Sequence, residues 1–152
     1  MSRKTRIEKE DNKRGLVIYI AVLIAIMVFI FIQSAFPATV SRQESGVVVK
    51  FLEAVFGLSP DNAAFIVRKT GHFLEYLVLG VVLCLTARSF ERKRSVPLWI
   101  PWAVGTAFAV TDEIHQYFVP GRSCELRDVV IDGFGVAVGV LIVRKRVLRT
   151  NT

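Results

Sequence analysis

Apolar residues gather in four long runs separated by short polar or basic segments. The first, 16–36, is broken only by Gln33 and Ser34 near its end. It reaches the roughly 20 residues that a helix needs to cross a hydrocarbon core. Pro37 stops it, because proline lacks an N–H and disfavours a helical residue before it. The second run covers about 70–87, the third about 96–115 with its helix continuing towards Phe118, and the fourth about 126–143. Pro97 and Pro101 fall in the first turns of the third, where a missing N–H costs little. Pro120-Gly121 supplies the turn into the fourth.

Residues 38–69 are mixed. Val47, Val48, Val49, Phe51, Leu52, Val55, Phe56 and Leu58 predict a short amphipathic helix, lying along the membrane surface or across the mouth of a bundle. Ser59-Pro60-Asp61-Asn62 reads as a turn followed by a helix start. With no internal repeat or low-complexity segment, residues 1–152 read as one domain with a leader at 1–15. The predicted fold is all-α: a polytopic membrane helical bundle of about four transmembrane helices.

Charge fixes the expected orientation. The chain has 152 residues, 53% of them hydrophobic, and a formal net charge of +7. A basic chain could bind nucleic acid. Here, however, the cations form three blocks, at 3–14, 88–94 and 144–149, between the apolar runs. That spacing suits cytoplasmic loops beside anionic lipid and argues against a nucleic-acid partner. All three blocks share one side of a four-span arrangement. Both termini are therefore expected in the cytoplasm, with 38–69 and 116–125 facing out. A cleaved signal peptide is the competing reading of the first run. Its leader carries Glu8, Glu10 and Asp11, and Ser34-Ala35-Phe36-Pro37 offers no small-x-small cut, so an uncleaved anchor is expected. Cys84 lies deep in the second span and Cys124 in a polar turn, too far apart along a helix for a disulfide.

Charges at membrane depth cost several kcal/mol and call for an explanation. Lys69, His72, Glu75 and Tyr76 recur at three- and four-residue spacing, so they share a helix face. A snorkelling lysine and an interfacial aromatic belt account for Lys69 and Tyr76 but poorly for Glu75. The third span ends Thr111-Asp112-Glu113-Ile114-His115-Gln116-Tyr117-Phe118. There Asp112 shares a face with His115 or Gln116, and Glu113 lies nearer Gln116 and Tyr117. His115 could exchange protons, or hold a metal with Asp112. The fourth span carries Arg127, Asp128 and Asp132. Asp128, Asp132, Gly135 and Gly139 fall on one face, and Gly135-x-x-x-Gly139 lets another helix approach closely. Arg122, in the turn, either clamps a phosphate or carboxylate or neutralises Asp128 or Glu113 together with Arg127. All three polar stretches fall at the outer helix ends.

These residues resemble the VanZ-like family of small bacterial membrane proteins, named for a teicoplanin-resistance protein. The matching pieces are Arg68-Lys69-x-x-His72-Phe73-x-Glu75-Tyr76 and the run from Asp112 through Pro120-Gly121-Arg122. The likeness continues through Arg127-Asp128-Val129-Val130-Ile131-Asp132-x-x-Gly135-x-x-x-Gly139, and Gln33-Ser34-x-Phe36-Pro37 matches the family's end of the first span. The resemblance implies a bacterial cell-envelope protein, in some members tied to glycopeptide tolerance. A phosphotransbutyrylase label carried by some members finds no support in these residues.

The expected function is binding of an envelope lipid or cell-wall precursor headgroup in an outward-facing polar pocket. Lys69, Tyr76, Gln116, Arg122 and Arg127 are the candidate ligand contacts. A membrane-embedded hydrolase or transferase is the enzyme alternative, with catalytic candidates among His72, Glu75, Asp112, Glu113, His115, Asp128 and Asp132. No cofactor is required by the sequence; a divalent metal, if used, falls to Asp112, His115, Asp128 and Asp132. Two further alternatives are a proton-coupled small-solute transporter, in which buried acids and histidines relay protons, and a purely structural polar network.

Overall fold

The computed structural model describes residues 3–37, 46–90, 96–122 and 124–150, with 3–12 and 147–150 as helical backbone only. Parts of the expected outer segment (38–45) and of the second basic block (91–95) lie outside the described residues. Five helices follow one another: α1 Arg3–Ala35, α2 Gly46–Phe56, α3 Pro60–Phe90, α4 Trp99–Tyr117 and α5 Leu126–Thr150. No strand occurs among the described residues.

Each helix begins or ends for a local reason. Gly57 closes α2 with φ +64°, its N–H donating to Glu53 O at 3.0 Å, a left-handed stop that suits glycine. Ser59 then opens α3, its hydroxyl accepting the Asn62 N–H at 3.4 Å with Pro60 in the first helical position. The helix thus starts ten residues before the apolar run at about 70. Residues 60–69 are too polar to register as a span, yet buried Ala63 and Lys69 tie them into the fold. At 31 residues α3 is roughly 46 Å long, beyond the roughly 30 Å of a hydrocarbon core. Likewise α1 continues back through the leader, and α5 runs past 143 through a basic tail of good helix formers.

The α3 helix is the axis of the bundle and touches all four others. Its tightest partner is α5, through the glycines. A Cβ on Gly135 would come to 2.6 Å from Phe73 O, and one on Gly139 would run into Leu77 O. Reciprocally, a Cβ on Gly80 would strike Val136 O. The Gly135-x-x-x-Gly139 face therefore packs inward, backbone to backbone against α3. Around this seam lie Ile30, Tyr76, Leu79, Leu83, Ala109, Val136 and Val140. Tyr76 is fully buried, which corrects its assignment to an interfacial belt.

The surface reverses the usual arrangement. Val17, Ile24, Val28 and Phe29 on α1, Leu74 and Val78 on α3, Val104 and Ile114 on α4, and Val130, Phe134 and Leu141 on α5 are all exposed. Meanwhile Ser34, Lys69, Asp112, Glu113, Gln116, Asp128 and Asp132 are buried. Two segments, Lys13–Ala35 and Pro60–Phe90, are long and apolar enough to cross a membrane. The helices α4 and α5, with Asp112, Glu113, Asp128 and Asp132 in them, do not meet the same measure.

Candidate functional site

The C-terminal ends of α1 and α4 meet the N-terminal part of α3 and the start of α5, and the buried polar side chains collect there. Two hydrogen-bonded networks form.

The first joins α1 to α4 through the turn after α4. Val119, Pro120, Gly121 and Arg122 make a tight turn in which Arg122 N donates to Val119 O at 3.1 Å. Gly121 has φ +77°, a conformation that a side chain would strain. The turn aims Arg122 back at the end of α1. Its Nε donates to Phe36 O at 2.9 Å, one terminal nitrogen to Gln33 O at 3.0 Å, and the other to Gln116 Oε1 at 3.2 Å. A helix leaves its last carbonyls short of partners, and the guanidinium fork meets two at this end: Gln33 O, which also accepts the Phe36 N–H at 3.4 Å, and Phe36 O just past the helix. Burial, with the Arg68 charge behind it, lowers the Arg122 pKa from its ordinary value, while Asp112, Glu113 and Glu75 act in the opposite sense. Gln116 Nε2 in turn donates to Asp112 Oδ2 at 3.0 Å and to Ser34 Oγ at 3.3 Å, and the Ser34 hydroxyl donates to Asp112 Oδ2 at 2.8 Å.

The second network joins α3 to α5. Lys69 donates to Asp128, forming a buried ion pair, and its ammonium also lies 3.8 Å from Glu125. Arg127 pairs with Glu125 at 2.6 Å near the surface, and both cations sit over the Phe65 ring, at 5.2 and 5.0 Å. One turn deeper, His72 Nδ1 lies 3.8 Å from Asp132 Oδ2, too long for a hydrogen bond. Glu113, next to Asp112 on α4, reaches the second network, its Oε2 accepting the Glu125 N–H at 2.9 Å.

Several expectations change here. Lys69 does not snorkel; it is buried against Asp128. Among the described residues Arg122 makes no direct ion pair with Asp128 or Glu113, because the turn points it at α1 carbonyls. Arg127 meets Glu125 instead of either acid. Gln116 serves Asp112, Ser34 and Arg122. His115 stacks its ring on Phe31 with centroids 4.0 Å apart, and so faces α1. Among the described residues, no group of three or more His, Cys, Asp or Glu side chains could hold a metal ion. Asp112, His115, Asp128 and Asp132 thus make no metal centre as arranged. Cys84 is free and buried, and Cys124 is free and exposed.

Some polar atoms remain without a partner although fully enclosed. They are His72 Nδ1, the Tyr76 hydroxyl, Asp112 Oδ1, Glu113 Oε1 and both oxygens of Asp132, with Thr106 Oγ1 and His115 Nε2 besides. Native proteins leave few such groups unsatisfied, because each costs about 1–3 kcal/mol.

Sequence reasoning overlooked Gln33, Ser34, Glu125 and Phe65 as parts of this region. For Ser34 the signal was present: two polar residues break an otherwise apolar run at the depth of Asp112. Glu125 is found only once the turn folds back over Glu113.

The VanZ/LLP1 family model matches residues 19–149, most of the chain. No curated protein and no solved structure matches.

Proposed function

From a chain that belongs to the VanZ-like family, we propose a four-span bacterial membrane protein that binds an envelope headgroup at its outer end. The apolar exterior of α1, α3, α4 and α5 supports four spans, since a soluble monomer rarely exposes so much contiguous apolar surface. In this reading α4 and α5 cross despite their acids, because Asp112, Glu113, Asp128 and Asp132 turn inward. Both termini are cytoplasmic, by the positive blocks, and α2 lies along the outer interface with Val47, Phe51 and Val55 towards lipid.

The observation that carries the binding reading is the set of enclosed, unpartnered polar atoms between α3, α4 and α5. A network meant only to hold helices together would close on itself, as the Arg122–Gln116–Asp112–Ser34 chain does. His72 Nδ1, Glu113 Oε1 and the Asp132 oxygens do not, and a bound headgroup would complete them. The candidates are a phospholipid or a lipid-linked cell-wall precursor, and the physiological consequence is an altered response to teicoplanin.

The test is a pair of conservative variants, Asp132→Asn and His72→Asn, in cells whose teicoplanin susceptibility depends on the protein. Both should abolish the phenotype while the purified proteins keep their helical signal and melting temperature. Full retention of every envelope phenotype in folded variants would refute the proposal. The approach of His72 to Asp132 favours a second reading, hydrolysis or group transfer on the headgroup with His72 as base and Asp132 orienting it. Turnover of a lipid-linked substrate that vanishes in His72→Asn would establish that version.

A further inference from the structure

Resting on the headgroup-site reading, we propose that Arg68 and Arg122 clamp a phosphate group at the mouth of the site, between the outer part of α3 and the turn before α5. The cations of this end are unequally occupied. Lys69 is buried against Asp128, and Arg127 is paired with Glu125. Arg68, half-buried just before Lys69, has neither an ion pair nor a hydrogen bond among the described residues. Arg122 keeps donors in reserve. A guanidinium carries more N–H donors than it has nitrogens, and Arg122 commits one per nitrogen, to Phe36 O, Gln33 O and Gln116 Oε1. Each terminal nitrogen therefore retains an N–H for which the described residues supply no acceptor.

The fold brings these two guanidiniums together. Arg68 acts on the Arg122 charge more strongly than Asp112, Glu113 or Glu75 does, although all three acids surround it. Like charges drawn partly out of water repel, and no bond at Arg68 offsets the cost. A phosphate would, since its oxygens can accept from both forks at once. The acids are poor substitutes. Asp112 is held by Ser34 and Gln116, Glu113 by the Glu125 N–H, and Glu75 lies about 10 Å further down α3 than Arg68. His72, one turn below Arg68 on the same face, carries an enclosed, unpartnered Nδ1. It leads from the clamp towards Asp132, 3.8 Å away, so a group attached to the phosphate has a polar path inward. Depth agrees too. Arg68 stands just before the apolar run of α3, where lipid phosphates lie in the four-span arrangement. Exposed Leu74 and Val78 continue below it as a bed for a hydrocarbon chain. Two sources carry this chemistry: the headgroup of an envelope lipid and the free anion.

Full-length protein in detergent is titrated separately with phosphatidylglycerol, a polyprenyl phosphate and an uncharged glycosyl diacylglycerol, and bound lipid is read by native mass spectrometry. At least one phosphate lipid should be retained about tenfold more strongly than the glycolipid, a difference of about 1.4 kcal/mol. Arg68→Gln should remove that preference without lowering the melting temperature, because no bond within the protein is lost. Arg68→Lys, which keeps the charge but not the fork, should fall between the two. Lys50→Gln, which removes an exposed cation on α2, should keep the full preference. Displacement of the lipid by inorganic phosphate, or a rise in melting temperature with phosphate that Arg68→Gln lacks, upholds the clamp and assigns it to the free anion. A lipid that phosphate does not displace assigns it to the headgroup. Equal retention of the glycolipid overturns the phosphate and leaves a headgroup site standing. An undiminished preference in Arg68→Gln, or an equal loss in Lys50→Gln, overturns the pair of arginines as its holder. Failure of every lipid to bind, with no response to inorganic phosphate, overturns both the clamp and the headgroup reading.

Discussion

The Lys69–Asp128 pair shows how little freedom a buried charge leaves. Both side chains are about nine-tenths enclosed, so removing one strands the other. Lys69→Met should cost about 3–5 kcal/mol, and Asp128→Leu added to it should restore most of the loss; thermal unfolding in detergent measures both. Arg122 is equally particular. Its planar fork reaches three acceptors in two elements, which a lysine's point charge cannot do. Arg122→Lys should therefore lower stability by about 1–3 kcal/mol and free the end of α1. Faster amide exchange in α1, confined to its last turn, is the signature to look for. Gly121→Ala should act on the same contact by straining the turn that aims the guanidinium, at about 1 kcal/mol.

Among the elements, the α3–α5 seam depends on absent side chains. Gly139→Leu should separate these helices outright, since even a Cβ would meet the α3 backbone. Gly71→Ala is the control, because nothing lies within 4 Å of its position. Tryptic protection of α5 should collapse in the first variant and persist in the second. The glycine face was legible from its spacing alone, as were the turn at Pro120-Gly121 and the short helix around Val47–Phe56. The helix start at Pro60 was legible in Ser59-Pro60-Asp61-Asn62; its continuity with the span from about 70 was not, because a hydropathy pattern cannot register a polar decade that is held by Ser59, Ala63 and Lys69. The polar face of α3 was visible from the spacing of Lys69, His72 and Tyr76. Which acid each cation meets was not, since Asp128 and Glu125 reach Lys69 only through the relative rotation of two helices. His115 illustrates the limit well: its spacing from Asp112 fits a shared site, but the pitch of α4 turns it onto Phe31.

For the molecule as a whole, sidedness decides what the polar end can meet. Cys124 is exposed and lies just beside the Arg122 turn, whereas Cys84 is buried. With that end outside, a membrane-impermeant maleimide should label intact cells, and Cys124→Ser should abolish the signal. Labelling only after the cells are opened would place the cluster on the cytoplasmic side and end its assignment to envelope headgroups.

The contact between Arg122 and the end of α1 also sets an order of events during synthesis. Phe36 O and Arg122 stand 86 residues apart in the chain. At roughly 5–20 residues per second, the ribosome needs about 4–17 s to make that stretch. In the proposed topology the first helix would wait in the bilayer through that interval without Arg122 at its end, and through most of it without Asp112 beside Ser34. The nascent chain is thus a partly assembled bundle that cannot lock until its final hairpin arrives. A chain arrested before residue 122 should accordingly be a ready substrate for membrane quality-control proteolysis, and one extended past the α5 glycines should resist it.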